Sequence, residues 1–394
     1  MKTERLLLIC TAAILFNGLV LGQASNTTLI SHWDQDSCYQ MEIMGNHLYF
    51  SPGINELRIL DLSDPTNAAE VGSVDSVGTV YELLHFGEYL YLISTNSDCP
   101  DHPSEGSIAN LYVFDATAGS NLMLMDSIEF YDCNGSGCVP GPVEISDSTL
   151  FFSQSLAMGW IIYAIGAQNP SEPFQYDIDS NFTFLADPYW INDNYMYITW
   201  DDLKVYDVSD PTSIDSVGGW IPDSTGMVLN IAFFYSNYAY VNDWNDPRDT
   251  IQVVNISDPE NLEQVGLWVV EYDYIDFNSK GDYIYVITRD SGVRIFDASI
   301  PSSPIEVGYF DPGIDFPIGD SKPELKFSDD HIFLSALNEG IYVFRNDLAV
   351  GIDPISGKMP SSFRFKQNYP NPFNPTTTIS YDLAVASDVT LTIY

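Results

Sequence analysis

The sequence predicts an all-β protein, a seven-bladed β-propeller closed by its own N-terminal strand. Three observations predict it. A short phrase recurs along the chain: "LRILDLSDP" ending at Pro65, "LKVYDVSDP" ending at Pro211 and "IQVVNISDP" ending at Pro259, with looser copies "LYVFDATAG" ending at Gly119 and "VRIFDASIP" ending at Pro301. An aromatic strand precedes each copy ("NHLYFS", "EYLYLI", "NYMYIT", "NYAYVN", "DYIYVI"), and four copies are followed by a near-constant strand ("AEVGSV", "DSVGGW", "EQVGLW", "IEVGYF"). The composition agrees, because 25 tyrosines, 22 phenylalanines, 26 glycines and 23 prolines in 394 residues favour strands and tight turns over helices.

The chain opens with a secretory leader, residues 1–24. "MKTER" is the positive start, "LLLICTAAILFNGLVLG" the apolar stretch, and Gly22-Gln23-Ala24 offers small residues for a cut after Ala24. No later segment is long and apolar enough to span a membrane. The expected location is outside the cell or on its outer surface.

Residues 25–347 carry the repeats. The anchor position of the phrase falls at Asp61, Asp115, Ala164, Asp207, Asn255, Asp297 and Arg345, 42 to 54 residues apart. That period suits four-stranded propeller blades, and seven anchors imply seven blades. "STLFFS" with "WIIYAIG" supplies the third blade and "DHIFLS" with "GIYVFR" the seventh; both lack the acidic anchor. The anchor Asp, with Ser and Asp-Pro behind it, is expected to cap its own turn through side-chain to backbone bonds, while Pro fixes φ. Repetition of the same turn argues for this structural role over ligand binding. The seventh blade lacks an outer strand of its own, and "LISHWD", Leu29 to Asp34, stands where an outer strand should precede the first blade. This segment is expected to pair with the last blade, which removes the exposed edge of an open array.

Alternating strand directions sort the loops onto two faces. One face holds short turns such as "MGNH", "FGEY" and "NSKGD"; the other holds the long insertions "NSDCPDHPSEGSIAN", "YDCNGSGCVPG", "NDWNDPRD" and "FDPGIDFPIGDSKP". Irregular loops on a rigid scaffold are where binding usually lives, so the second face is the candidate functional face. Cys38, Cys99, Cys133 and Cys138 also fall there. In an oxidising compartment they are disulfide candidates, Cys133 with Cys138 in a tight loop and Cys38 with Cys99 between neighbouring blades. A zinc site is disfavoured, since no histidine stands near the Cys133–Cys138 pair.

Aligning the inner strands places Gln40, Glu82, Asp276 and Glu324 at one position of four consecutive blades, counted round the ring. They form an acidic arc at the channel mouth, a candidate site for sugar hydroxyls or for Ca²⁺ as the one cofactor. The alternative is that they simply face water, as acids on a chain of net charge −41 usually do. Trp190 and Trp244 are candidates for stacking on a sugar, against the alternative of ordinary packing. The negative field repels nucleic acid and anionic lipid, which excludes those partners.

Catalytic signatures are missing from the sequence. It contains no His-x-x-x-His pair, nucleophile elbow or phosphate loop. "DWNDPRD" lacks the glycine and terminal glutamate of a Ca²⁺ loop. Asn26, Asn134, Asn181 and Asn255 fit the glycosylation pattern, Asn255 within a repeat turn.

The repeat wording "LRILD" and "LKVYD" resembles the LVIVD-repeat family over roughly residues 29–347, which implies a secreted or surface propeller. Residues 348–362 read as a linker. The end, residues 363–394, resembles the type A C-terminal sorting domain of type IX (Por) secretion. Gln367, Asn368, Tyr369, Pro370, Asn371, Pro372, Phe373, Asn374 and Pro375 are the motif. The resemblance implies a small β-sandwich, truncated here at Tyr394, that serves as an address for the type IX secretion machinery. The expected protein is therefore no enzyme but an exported propeller that binds a protein or polysaccharide. The alternatives are a polysaccharide-active enzyme on the same scaffold and a structural surface-layer protein.

Overall fold

The computed structural model describes residues 24–95, 109–130, 140–146, 149–156, 159–166, 174–176, 189–192, 194–199, 202–210, 212–222, 229–243, 250–317, 322–348, 364–365 and 381–382. The described chain is almost wholly strand. β1 (Ala24–Ser25) and β2 (Thr27–Trp33) come first. β3 (Gln40–Met44), β4 (His47–Ser51), β5 (Ile54–Asp61), β6 (Ala69–Phe86), β7 (Tyr89–Thr95), β8 (Ala109–Asp115) and β9 (Met123–Phe130) form one seven-stranded antiparallel sheet. Within it, β6 pairs with β5 through Ala69–Thr79 and with β7 through Thr79–Phe86. One long strand thus ends one repeat and begins the next.

Sheets of four strands follow: β10 (Pro140–Ser146) to β13 (Phe174–Tyr176), β14 (Tyr189–Asn192) to β17 (Asp215–Trp220), and β18 (Leu229–Tyr235) to β21 (Glu263–Val269). Next, β22 (Tyr274–Lys280), β23 (Tyr283–Thr288), β24 (Val293–Asp297) and β25 (Ile305–Phe310) gain β1 on the β25 edge. The last large sheet is β26 (Leu325–Ser328), β27 (His331–Ser335), β28 (Ile341–Asn346) and, beside β28, β2. The architecture is all-β and propeller-like. A separate unit holds β29 (Arg364–Phe365) and β30 (Tyr381–Asp382), which pair with each other. Residues 1–23 of the leader, residues 96–108, 131–139, 244–249 and 318–321 of the long insertions (Cys99, Cys133, Cys138 and Trp244 among them) and the motif Gln367–Pro375 lie outside the described residues.

Local sequence explains the strands. The second strand of each repeat carries a central aromatic, Tyr49, Tyr91, Phe151, Tyr197, Tyr240, Tyr285 or Phe333, and each is at most 1% exposed. A strand covered on both faces reads as a continuous apolar run, and β4, β23 and β27 are buried along all but their first residue. The turn into this strand needs a left-handed residue. Gly45, Gly87 and Gly281 supply it at φ of 55°, 62° and 59°, while Ser236 and Asp329 adopt it with a side chain at φ of 54° and 47°.

The anchor turns are capped as expected. Asp61 Oδ1 accepts from Ser63 N at 2.8 Å and Ser63 Oγ at 2.6 Å. Asp115 with Thr117, Asp207 with Ser209, Asn255 with Ser257 and Asp297 with Ser299 repeat the backbone bond at 2.8–3.0 Å. Asp64, Asp210 and Asp258 cap the next turn in the same way, through Thr66, Thr212 and Glu260. At the deviant anchor Arg345, the guanidinium instead pairs with Asp347 at 2.8 Å, and Asp347 accepts from Thr28 Oγ1 at 2.7 Å.

Five outer strands bear a β-bulge at the same place, two residues before the anchor on the facing strand. The break lies opposite Ile59/Leu60, Val113/Phe114, Val205/Tyr206, Val253/Val254 and Ile295/Phe296. The residue after the bulge is Gly72, Gly218, Gly266 or Gly308 in four outer strands. An added Cβ there would stand 2.4 Å from Ser120 O, 2.3 Å from Pro259 O, 2.4 Å from Ser302 O or 2.7 Å from Ser25 O. Glycine is required because a neighbouring backbone presses onto the strand, that of the next turn at Gly72, Gly218 and Gly266 and that of β1 at Gly308.

β2 follows the same pattern. It pairs antiparallel with β28 from Thr27↔Asn346 to Trp33↔Ile341, with the break between Leu29 and Ser31 opposite Phe344 and Val343. Ser31 occupies the glycine's place, and its hydroxyl donates to Pro65 O at 2.6 Å. The pairing expected of Leu29–Asp34 with the last repeat is therefore present, over Thr27–Trp33 against Ile341–Asn346. Gly266→Ala should destabilise the protein by about 1–3 kcal/mol, the usual cost of overpacking, in a urea melt; an unchanged midpoint would contradict the close turn contact.

Candidate functional site

The inner strands bring charged side chains together, and the register explains how. Residues i and i+2 share a face of a strand. Gln40 and Glu42 on β3, Glu324 and Lys326 at β26, and Asp276 and Asn278 on β22 thus face alike, strand by strand.

Lys326 is the hub. Its Nζ donates to Glu42 Oε2 at 2.7 Å, which ties β26 to β3. The other Glu42 oxygen lies 2.7 Å from His85 Nδ1, which ties β3 to β6. Glu324 Oε2 accepts from the Met41 backbone N–H at 2.9 Å. In the orientation that satisfies its amide, Gln40 donates to Glu324 Oε1 at 2.8 Å and to Tyr81 O at 3.3 Å. Asn278 Nδ2 donates to Asp276 Oδ2 at 3.2 Å.

The electrostatics follow from burial and neighbours. Burial pushes the Glu324 carboxyl up to about 7; Lys326 and the Met41 N–H oppose this, and the charges of Asp276 and Glu42 add to it. Burial also pushes Asp276 up to about 6, against Lys322, the Phe277 N–H, Asn278 and Lys326. Burial would raise Glu42 too, but the His85 bond and the Lys326 charge outweigh it and hold the group below the usual range. Burial disfavours the Lys326 ammonium, yet Glu324, Glu42 and Glu82 hold its pKa above the ordinary value.

Of the sequence candidates, Gln40 and Glu324 are directly bonded to each other. Asp276 and Glu82 act on Glu324 and Lys326 through their charge. Trp190 lies in β14. Cys38 is a free, fully buried thiol, bridged through its backbone to Leu337. Glu42, Lys326 and His85 were missed by aligning a single column; the column two residues on would have shown Glu42 and Lys326. Among the described residues no group of three or more His, Cys, Asp or Glu is placed to hold a metal ion. No described helix is long and apolar enough to cross a membrane.

What the arrangement does chemically is hold strands together. One ammonium shared among acids, with backbone and amide donors on Glu324, links three inner strands. The raised carboxyls of Glu324 and Asp276 can also exchange protons near neutral pH.

Comparison with known proteins agrees with the fold. Four segments match the LVIVD repeat model, residues 39–76, 186–219, 226–267 and 276–311. The chain therefore carries four LVIVD repeats, at the segments where the anchor phrase or its outer strand is best kept. No curated protein matches the chain. Among solved structures, the computationally designed Ika8 protein is similar at TM-score 0.50 and 10% identity, covering 80% of this chain and 99% of its own. Saccharomyces cerevisiae Sqt1 is similar at TM-score 0.51 and 9% identity, covering 82% and 99%. At such identities the likeness shows fold alone.

Lys326→Met should cost about 3 kcal/mol in urea unfolding, because it leaves Glu42 buried with only His85 beside it. An unchanged stability would show that the hub does not hold these strands.

Proposed function

We propose that the chain is an exported, seven-bladed propeller, closed by β2, that binds a protein or polysaccharide and catalyses no reaction. The single observation that carries the non-catalytic reading is the use already made of the inner acids. Glu42 is engaged by Lys326 and His85, and Glu324 by the Met41 N–H and Gln40. Side chains committed to bonds between strands are poorly placed to turn over a substrate.

The seven-blade count rests on seven anchors in the sequence, and closure is supported by the bulge that β2 shares with the other outer strands. Export rests on the leader and on the resemblance of Gln367–Pro375 to the type IX sorting motif. The binding face in this reading is the one with the long insertions, where Cys99, Cys133, Cys138 and Trp244 fall in the sequence.

A second reading is favoured by one observation. Carboxyls at about 7 and about 6, Glu324 and Asp276, have the protonation behaviour of a general acid. In that reading the chain cleaves a polysaccharide.

A glycan array, followed by a reducing-sugar assay on every glycan retained, separates the two. The binding reading expects retention of a glycan or of a surface protein, with no sugar released above the blank. Sugar release that disappears in Glu324→Gln and Asp276→Asn would replace it with the enzyme.

A further inference from the structure

The contact between β26 and β3 joins the last large sheet to the first. Three interactions cross it: the Lys326–Glu42 ion pair at 2.7 Å, the Met41 N–H bond to Glu324 at 2.9 Å and the Gln40 amide bond to Glu324 at 2.8 Å. They differ in kind. Lys326 spends its short contact on Glu42. Glu324 is met by neutral donors, the Met41 N–H and the Gln40 amide, and among the described residues no Lys, Arg or His stands within ion-pair distance of it.

The groups that face Glu324 are mostly of its own sign. Lys326 lies two residues on along its own strand. From β22 comes Asp276, which has Lys322 near it; from β3 comes Glu42; and the Cys38 thiol also feels the Glu324 charge. β6 contributes Glu82, whose charge acts on Lys326, and His85, bonded to Glu42. When every acid is ionised, Glu324, Glu42, Glu82 and Asp276 crowd round Lys326 with Lys322 at the edge. One proton on Glu324 Oε1 relieves that crowding: Oε2 still accepts from Met41, and the Gln40 amide, turned so that its oxygen lies 2.8 Å away, accepts the new O–H.

We propose that this contact is a protonation-controlled latch: a neutral Glu324 closes the seam between the last and first sheets, and its ionisation loosens it. The latch rests on the closed reading given above, since only a closed array makes this seam hold the molecule shut.

The direction in pH follows from linkage. Glu324 is raised in the folded protein, so the folded state holds a proton that the unfolded state has released. Its stabilisation is fully present below the ordinary glutamate range and is lost as pH rises through about 7. Asp276 acts in the same sense, through about 6. Glu42 is lowered, so its stabilisation is lost only in more acid solution.

The test is the thermal midpoint of the full chain from pH 5 to 8.5, for wild type, Glu324→Gln and Asp276→Asn. Wild type should lose several degrees across this range relative to Glu324→Gln, whose neutral amide mimics the protonated acid. Asp276→Asn should shift the wild-type transition to lower pH by removing a neighbouring negative charge. Parallel curves for wild type and Glu324→Gln would overturn the latch. If Glu324→Gln does not fold, an unshifted transition in Asp276→Asn would overturn it. A cysteine pair at the facing positions Thr28 and Arg345 separates this from the closed reading. A cross-link that forms while the curves stay parallel removes the latch alone; no cross-link in the oxidised, folded chain removes both.

Discussion

The pairing of β2 with β28 is the constraint on which the rest of the structure depends. Without it, β28 would present an unpaired edge carrying Tyr342 and Phe344, side chains that belong to the core. The pairing buries Trp33 against Phe50, with ring centroids 5.1 Å apart, and sets Ser31 against Pro65 of the first repeat. A segment distant in sequence thus makes the contact that neighbouring repeats make elsewhere. The shared bulge gives the pairing its register: a slip of one residue would turn Trp33 out of the core and His32 in.

Neighbouring sheets meet through one recurring device. The outer strand gives up a side chain at the glycine after the bulge, and at Gly72, Gly218 and Gly266 the following turn fills the space with its carbonyl. The buried tyrosine of the second strand often reaches the same turn: Tyr49 Oη donates to Gly119 O at 3.0 Å and Tyr240 Oη to Pro301 O at 2.7 Å. A tyrosine buried to this depth needs a partner for its hydroxyl, and the turn carbonyl supplies one. At the last sheet the partner changes: Tyr285 Oη accepts from Asn346 Nδ2 at 2.9 Å. These contacts are short-range and neutral, so salt leaves them intact. The inner strands add the charged hub of Lys326, which is the contact that pH can move.

Much of the fold was legible because its signals are local and repeated. Asp61, Asp207 and Asp297 cap turns two residues on, so the motif contains both partners. Tyr49 and its equivalents recur in the strand that precedes each anchor strand, and an aromatic that recurs at a buried position is a core signal. The N-terminal strand was legible by subtraction, since one repeat lacked an outer strand and one spare strand was on hand. The site was harder to read. Gln40, Glu82, Asp276 and Glu324 share a column and so stood out. Lys326 and Glu42 lie one step across the same face, and their pairing depends on which sheets adjoin, which a single column of residues does not state. The raised pKa of Glu324 was not legible at all, since it comes from burial and from two acids, Asp276 and Glu42, brought in by other strands.

The N-terminal strand as part of the last sheet is tested most directly by removing it and giving it back. A chain beginning at Asp34 should melt well below the full chain, and a synthetic peptide of residues 24–34 should restore the lost melting temperature at one peptide per chain. A shortened chain that melts with the full one, indifferent to the peptide, would contradict the account.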